Sequence, residues 1–248
     1  AVISRSWVMA RIKSRDHHTE FDVCADDHCQ RYQGLARVFG NTVKEAIDST
    51  WGQVLTYNGE LCDTRFSKCC GGRSEVFSTC WTDADYPYLI SHDDPYCARA
   101  GKMVLASVVN SFDAPTVDFY KWREVRSQKE LSSLVREKSG RDIGLVQDMT
   151  ALEKGPSGRI KLLEIVGDKG SMRVGKELEI RRILSDTHLK SSNFSISRDE
   201  DGNFIFDGYG WGHGVGLCQI GAAVMAEEGK TCEEILSFYY PGTSVTGE

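Results

Sequence analysis

Gly208-Tyr209-Gly210-Trp211-Gly212-His213-Gly214-Val215-Gly216 sets five glycines at strict alternation in a chain of 248 residues. In an extended backbone the side chains alternate between faces, so this stretch predicts one face without Cβ atoms and another lined by Tyr209, Trp211, His213 and Val215. Bare glycine weakens a strand, and its use marks a tight bend or a close approach of backbone or ligand. A core strand packed against another segment fits that description as well as a binding surface does. A dinucleotide loop does not, because the spacing departs from G-x-G-x-x-G and the acidic residue that should follow a second strand is missing.

Downstream, Gln219 to Glu228 reads as a helix stopped by Gly229, and a Thr231/Glu234 capping box starts a second one over Glu233 to Tyr240, ended by Pro241-Gly242. Upstream, residues 104–200 lack cysteine and are rich in charge. They hold a helix opened by a Ser127/Glu130 box and closed by Gly140, then strands Ile160 to Val166 and Ser171 to Val174 around an Asp168-Lys169-Gly170 turn. Nearer the start, Asn41 or Thr42 with Glu45 caps a short helix, and Asn58-Gly59 turns a hairpin between Gln53 to Tyr57 and Glu60 to Phe66. Residues 1–13 carry apolar side chains at helical spacing with no cap ahead of them, which predicts a helix continuing from a longer precursor. The expected fold is α+β, helices on mixed or antiparallel sheets. Its parts are a core from residues 1–103 and 201–248 and an inserted α+β subdomain over 104–200.

Thirty Lys and Arg against 36 Asp and Glu give a net charge of -6, which argues against a general nucleic-acid binder. No apolar run reaches the roughly 18 residues that cross a bilayer. Nine cysteines, an odd number, leave at least one thiol outside any intrachain pair. His18, Cys24, His28 and Cys29 are four ligands of the kind zinc prefers. A Cys24 to Cys29 disulfide, or surface histidines beside a free thiol, fits the spacing too. Cys69-Cys70-Gly71-Gly72-Arg73-Ser74-Glu75 reads as a tight loop with free backbone N–H groups, followed by a loop that a Cys80 to Cys97 disulfide could clip. Cys218 lies five residues after His213, but no orienting group for a Cys/His hydrolase is identifiable.

In combination these segments resemble the stage II sporulation protein D family, which includes the amidase enhancers of bacterial cell walls. Ala1 to Trp7 is similar to the family's A-V-A-A-R-T-Y helix, and Phe21 to Gln30 to its Y-D-V-C…H-C-Q stretch. Cys70 to Glu75 is similar to [S/C]-G-G-x-T-E, Gly210 to Ala222 to G-x-G-H-G-V-G-[M/L]-[S/C]-Q-x-G-A, and Ile235 to Gly242 to I-L-x-x-Y-Y-P-G. The resemblance implies a peptidoglycan lytic transglycosylase, which cleaves between N-acetylmuramic acid and N-acetylglucosamine in peptide-free glycan strands and leaves 1,6-anhydro ends. One carboxyl serves as acid and then base, because the substrate's 6-hydroxyl is the nucleophile. The family's glutamate precedes the first helix, so it is expected upstream of Ala1.

Carried over residue by residue, Arg5, His213 and Gln219 are the expected catalytic-site residues. Gly71, Gly72, Ser74, Tyr209, Trp211, Cys70 and Cys218 are expected to line a saccharide groove whose two glycine-rich walls face each other, with a Cys70 to Cys218 bridge conceivable between them. Glu75 is expected to fix the Gly-Gly loop. His18, Cys24, His28 and Cys29 are the expected structural zinc ligands. The location implied is the bacterial cell envelope, outside the cytoplasm. Two alternatives stay open: a non-catalytic enhancer that grips the wall and stimulates a peptidoglycan amidase, and a hydrolase with catalytic zinc on Cys24 and His28.

Overall fold

The computed structural model describes residues 1–14, 18, 20–25, 29, 41–101 and 118–247. The fold is mixed α+β, and it divides into two compact units, residues 1–65 with 240–248 and residues 66–239.

In the first unit, helix α1 (Val2–Ser14) packs on strand β1 (Val54–Tyr57), which sits between β11 (Ser244–Thr246) and β2 (Glu60–Leu61) in an antiparallel sheet. The Asn58-Gly59 turn forms as the dipeptide demands, both residues at positive φ (50° and 82°). Ser6 fastens the helix to the sheet: its hydroxyl accepts from the Leu55 amide (2.8 Å) and donates to the Val2 carbonyl. The Thr42/Glu45 box does not form. Helix α2 (Thr42–Asp48) makes Thr42 its first helical residue, and Asn41, the capping residue, is itself helical (φ -89°, ψ -15°) and makes no side-chain cap. A capping side chain reaches the free amides only from extended backbone.

The second unit holds two antiparallel sheets, β4-β9-β8 and β5-β6-β7. Their strands are β4 (Lys121–Arg126), β5 (Val146–Lys154), β6 (Ile160–Gly167), β7 (Gly170–Gly175), β8 (Phe194–Arg198) and β9 (Phe204–Tyr209). Helix α4 (Gln128–Ser139) opens on the expected Ser127/Glu130 box and ends at Gly140 in the left-handed conformation (φ 70°). Its Leu131 and Val135 join Leu163 and Ile165 of β6, Ile180 of helix α5 (Glu177–Ile183) and Phe204 and Phe206 of β9 in one buried core. The sheet β4-β9-β8 joins strands from both sides of residue 200, where the inserted segment is expected to end.

The rest of the unit is built from short pieces: β3 (Phe66–Ser67) pairs in parallel with β10 (Leu217–Cys218), beside α3 (Phe77–Cys80), a 3-10 turn at Cys97–Arg99, α6 (Gln219–Glu227) and α7 (Cys232–Tyr239). The reciprocal Thr231/Glu234 box at the start of α7 forms as expected.

No two of the nine cysteines are joined in a disulfide, so none of the three bridges that the sequence allows is formed. The Cys80 thiol donates to the His213 carbonyl (3.6 Å), while the Cys97 sulfur lies 3.6 Å from that of Cys70. Cys70 and Cys218 approach through the Cys70 amide, which donates to the Cys218 sulfur at 3.3 Å. Cys24 and Cys29 lie close, their sulfurs within 4.8 Å, without a disulfide.

Candidate functional site

The glycine stretch is not a flat strand. Strand β9 stops at Tyr209, and Gly210, Gly212, Gly214 and Gly216 all take positive φ (77°, 90°, 76° and 68°). From Gly210 on, the alternation seen in the sequence is thus one of backbone conformation, left-handed at four of the five glycines, which is a region L side chains avoid, while Gly208 stays in the strand. Space enforces it as well: a Cβ on Gly210 would stand 2.8 Å from the Cys69 carbonyl oxygen, and one on Gly214 2.5 Å from Cζ of Arg159.

Arg159, just ahead of β6 and not singled out by the sequence, is the fully buried centre of this region. Its guanidinium donates to the Gly212 carbonyl through Nε (3.3 Å) and Nη2 (3.1 Å), to the Cys70 carbonyl (3.0 Å) and to Ser157 Oγ (3.0 Å). Ser157 Oγ in turn donates to Glu75 at 2.6 Å. The Glu75 carboxylate, fully buried, also accepts from the Val76 amide, the Ser157 amide and the Thr79 hydroxyl. Such a carboxylate fixes its loop, as expected, and is not presented to a substrate.

The two glycine-rich segments pack directly on each other. Cys69 and Trp211 exchange backbone hydrogen bonds (3.1 and 2.8 Å), the Glu75 amide donates to the Gly214 carbonyl, and a Cβ on Gly71 would lie 2.8 Å from the Gly210 nitrogen. They form one wall, where two facing walls of a groove were expected. Cys70, Cys218 and Ser74 point inward and are buried; the Ser74 hydroxyl bonds to the Ile90 carbonyl and His92.

The surface of this wall carries Tyr209, 39% exposed, and half-buried Trp211. Tyr120 meets Tyr209 edge to face at 5.8 Å, and Trp211 packs on Phe119 at 5.1 Å. Three lysines stand over these rings: Lys68 over Phe119, Lys121 over Tyr209 and Lys190 over Trp211, each within 5.9 Å of the centroid. His213 is half-buried, its Nδ1 accepting from the Val215 amide at 3.0 Å and its ring 4.8 Å from Trp81. With Nδ1 an acceptor, Nε2 carries the proton of the neutral ring. Gln219 is the first residue of α6 and half-buried.

Arg5 belongs to the first unit, where its Nη1 donates to the carbonyls of Thr50 (2.7 Å) and Gln53 (2.6 Å), so its charge closes the turn ahead of β1. In the same unit one donor atom each of His18, Cys24 and Cys29 lies within 4.8 Å of the other two. An imidazole and two thiols suit zinc. His28, the fourth expected ligand, lies outside the described residues.

Fold and site together define a cysteine-rich α+β protein with a glycine-built wall and an aromatic, lysine-flanked face. Comparison with known proteins gives the kinship. Residues 1–57 match the family described as Stage II sporulation protein, and residues 75–216 match the one described as Domain of unknown function (DUF8618). The chain is 27% identical to the Amidase enhancer of Bacillus subtilis (strain 168), over 88% of this chain and 34% of that protein. It is 28% identical to the Stage II sporulation protein D of the same strain, over 82% of this chain and 51% of that protein. With an uncharacterized protein of Brachyspira hyodysenteriae the identity is 30%, over 99% of this chain and 59% of the relative. The chain therefore spans a third to three fifths of the length of these relatives. It belongs to the stage II sporulation protein D and amidase enhancer family. No helix among the described residues is long and apolar enough to cross a membrane.

Proposed function

We propose that this chain is the glycan-binding body of a peptidoglycan lytic transglycosylase of the bacterial cell envelope. The observation that carries it is the face of Tyr209, Trp211 and Tyr120 with Lys68, Lys121 and Lys190 around the rings. Aromatic rings offer flat apolar surfaces to sugar faces. Ammonium groups beside them suit the lactyl carboxylates that a peptide-free strand exposes on every muramic acid. His213 and Gln219 would supply hydrogen bonds to acetamide or hydroxyl groups. For cleavage between N-acetylmuramic acid and N-acetylglucosamine, this reading takes as general acid the glutamate that the family resemblance places ahead of Ala1, not Glu75, which is buried and taken up by four hydrogen bonds. A zinc ion on His18, Cys24 and Cys29, with His28 as fourth ligand, would hold the first unit together as a structural site.

That same engagement of Glu75 favours a second reading, a non-catalytic module that binds the wall and stimulates a peptidoglycan amidase. One experiment separates them. The protein extended at its N-terminus is incubated with peptide-free glycan strands, and products are read by mass spectrometry. Anhydromuramic ends support the transglycosylase. Strands that are bound but uncut, together with faster release of peptides by an added amidase, support the enhancer. Ordinary reducing ends would overturn both.

A further inference from the structure

Four buried side chains in the second unit converge with no part in the glycan face. Cys70, Asp94, Cys97 and Cys218 are at most 3% exposed, and one donor atom from each lies within 4.8 Å of the others. The Cys70 and Cys97 sulfurs stand 3.6 Å apart, and Cys70 Sγ is 3.2 Å from Asp94 Oδ2. A zinc ion about 2.3 Å from each sulfur of a tetrahedral site sets an S···S edge of about 3.8 Å. The spacing is thus already that of ligands around one small ion.

We propose that Cys70, Cys97, Cys218 and Asp94 form a buried structural site for a thiophilic divalent cation of the zinc class, independent of the glycan reading and separate from the His18, Cys24 and Cys29 group. Binding releases one proton from each of three thiols and gives three metal–sulfur bonds and one metal–oxygen bond. The cation and four anionic ligands together carry a charge of 2-.

The surroundings are built for that charge. The Cys218 sulfur caps α6 and accepts from the Gly221 amide (3.4 Å) as well as the Cys70 amide (3.3 Å). The Cys97 sulfur accepts from the Gly72 amide and faces the thiols of Cys218, Cys69 and Cys70. Amides aimed at sulfur, and an outer shell that orients each ligand, are the usual supports of metal thiolates. Asp94 has such a shell: Oδ2 accepts from the Tyr239 hydroxyl (2.9 Å), and Oδ1 from the amides of Tyr96 (2.9 Å) and Cys97 (3.4 Å). These partners and the Cys70 thiol are all neutral, so a cation among the sulfurs would be the carboxylate's charge partner. Gly221 leaves room for this arrangement, since a Cβ there would lie 2.2 Å from the Tyr239 oxygen and 2.7 Å from Asp94 Oδ2.

Two disulfides among Cys69, Cys70, Cys97 and Cys218 are the competing use of these thiols, and they would leave Asp94 buried without a cation. The test uses the full chain carrying Cys24→Ser and Cys29→Ser, purified under reducing conditions and offered zinc or cobalt alone. The expected result is one equivalent of tightly held metal, X-ray absorption showing about three sulfurs at about 2.3 Å, and sulfur-to-cobalt charge-transfer absorption. Adding Cys97→Ser should remove that equivalent, while Asp94→Cys should retain it with a fourth sulfur. The cobalt spectrum of the parent double variant decides the matter even if Cys97→Ser does not fold. No bound metal in that folded variant, or an intact mass lighter than the reduced chain by the hydrogens of one or two disulfides, would overturn the site.

Discussion

Replacing Arg159 with Met removes a guanidinium that no solvent reaches while keeping much of its apolar volume. Its donors satisfy two carbonyls, those of Gly212 and Cys70, and the Ser157 hydroxyl. Each buried carbonyl left without a donor costs about 1–3 kcal/mol. With Glu75 also losing, through Ser157, the nearest positive charge of its hydrogen-bond relay, the expected loss is about 3–5 kcal/mol, the range for breaking a buried charged pair. Urea unfolding followed by tryptophan fluorescence measures it, and amide exchange should quicken at Gly71, Gly72 and Gly210 to Gly216. Gly214→Ala supplies the cross-check. Alone it combines a left-handed backbone penalty of about 1–2 kcal/mol with a clash against Cζ of Arg159 at 2.5 Å. In the Arg159→Met background only the backbone part should remain. A loss below about 1 kcal/mol for Arg159→Met, or strict additivity of the two changes, would refute the role given to Arg159.

Tyr209→Ala should weaken binding to peptide-free glycan strands about fivefold, equivalent to about 1 kcal/mol of stacking, with an unchanged melting temperature; unchanged retention in a strand pull-down counts against the aromatic face. Arg5→Met should cost about 1–3 kcal/mol, chiefly at the Gln53 carbonyl that loses this donor, since the Thr50 carbonyl keeps the Gln53 amide, and should speed amide exchange around Thr50 to Val54 without altering glycan retention. Burial pushes the Cys80 thiol well above its ordinary value, so the native state keeps a proton that the unfolded chain loses above about pH 8.5. The contribution is complete below that pH and falls by about 2 kcal/mol by about pH 10. Urea midpoints against pH should therefore fall less steeply in Cys80→Ala than in the wild type, and parallel curves would refute it.

Features written in neighbouring residues were legible. The Ser127/Glu130 and Thr231/Glu234 boxes, the Gly140 cap and the Asn58-Gly59 hairpin each depend on a few adjacent side chains, and each formed. Thr42/Glu45 has the same letters and did not, because Asn41 is itself helical and makes Thr42 the first helical residue. The glycine stretch was legible as a place of close approach, but not as a left-handed path, because what crowds it is Arg159, 53 residues from Gly212 in sequence. Nothing local marks Arg159 as buried: an Arg before a strand reads as solvated until Gly210 and Gly214 leave room for it. Cysteine pairing failed for the same reason. The spacing of Cys80 and Cys97 said nothing of Cys70, which tertiary packing set against Cys97.

Cys70 links the two buried centres. Its carbonyl accepts from Arg159 and its sulfur belongs to the group with Asp94, Cys97 and Cys218, so the Gly71-Gly72 loop is held from one side by a charge and from the other by thiols. Trp211 is tied to that loop by two backbone bonds through Cys69, and the chain continues directly to Tyr209. An aromatic face mounted in this way has little freedom left to lose. Binding cost falls when the interacting groups are ordered beforehand, which on the proposed function favours a glycan strand whose individual contacts are weak. Glycine is what permits the arrangement, because only a backbone free of Cβ atoms can come this close to a buried guanidinium while carrying aromatic rings on its other side.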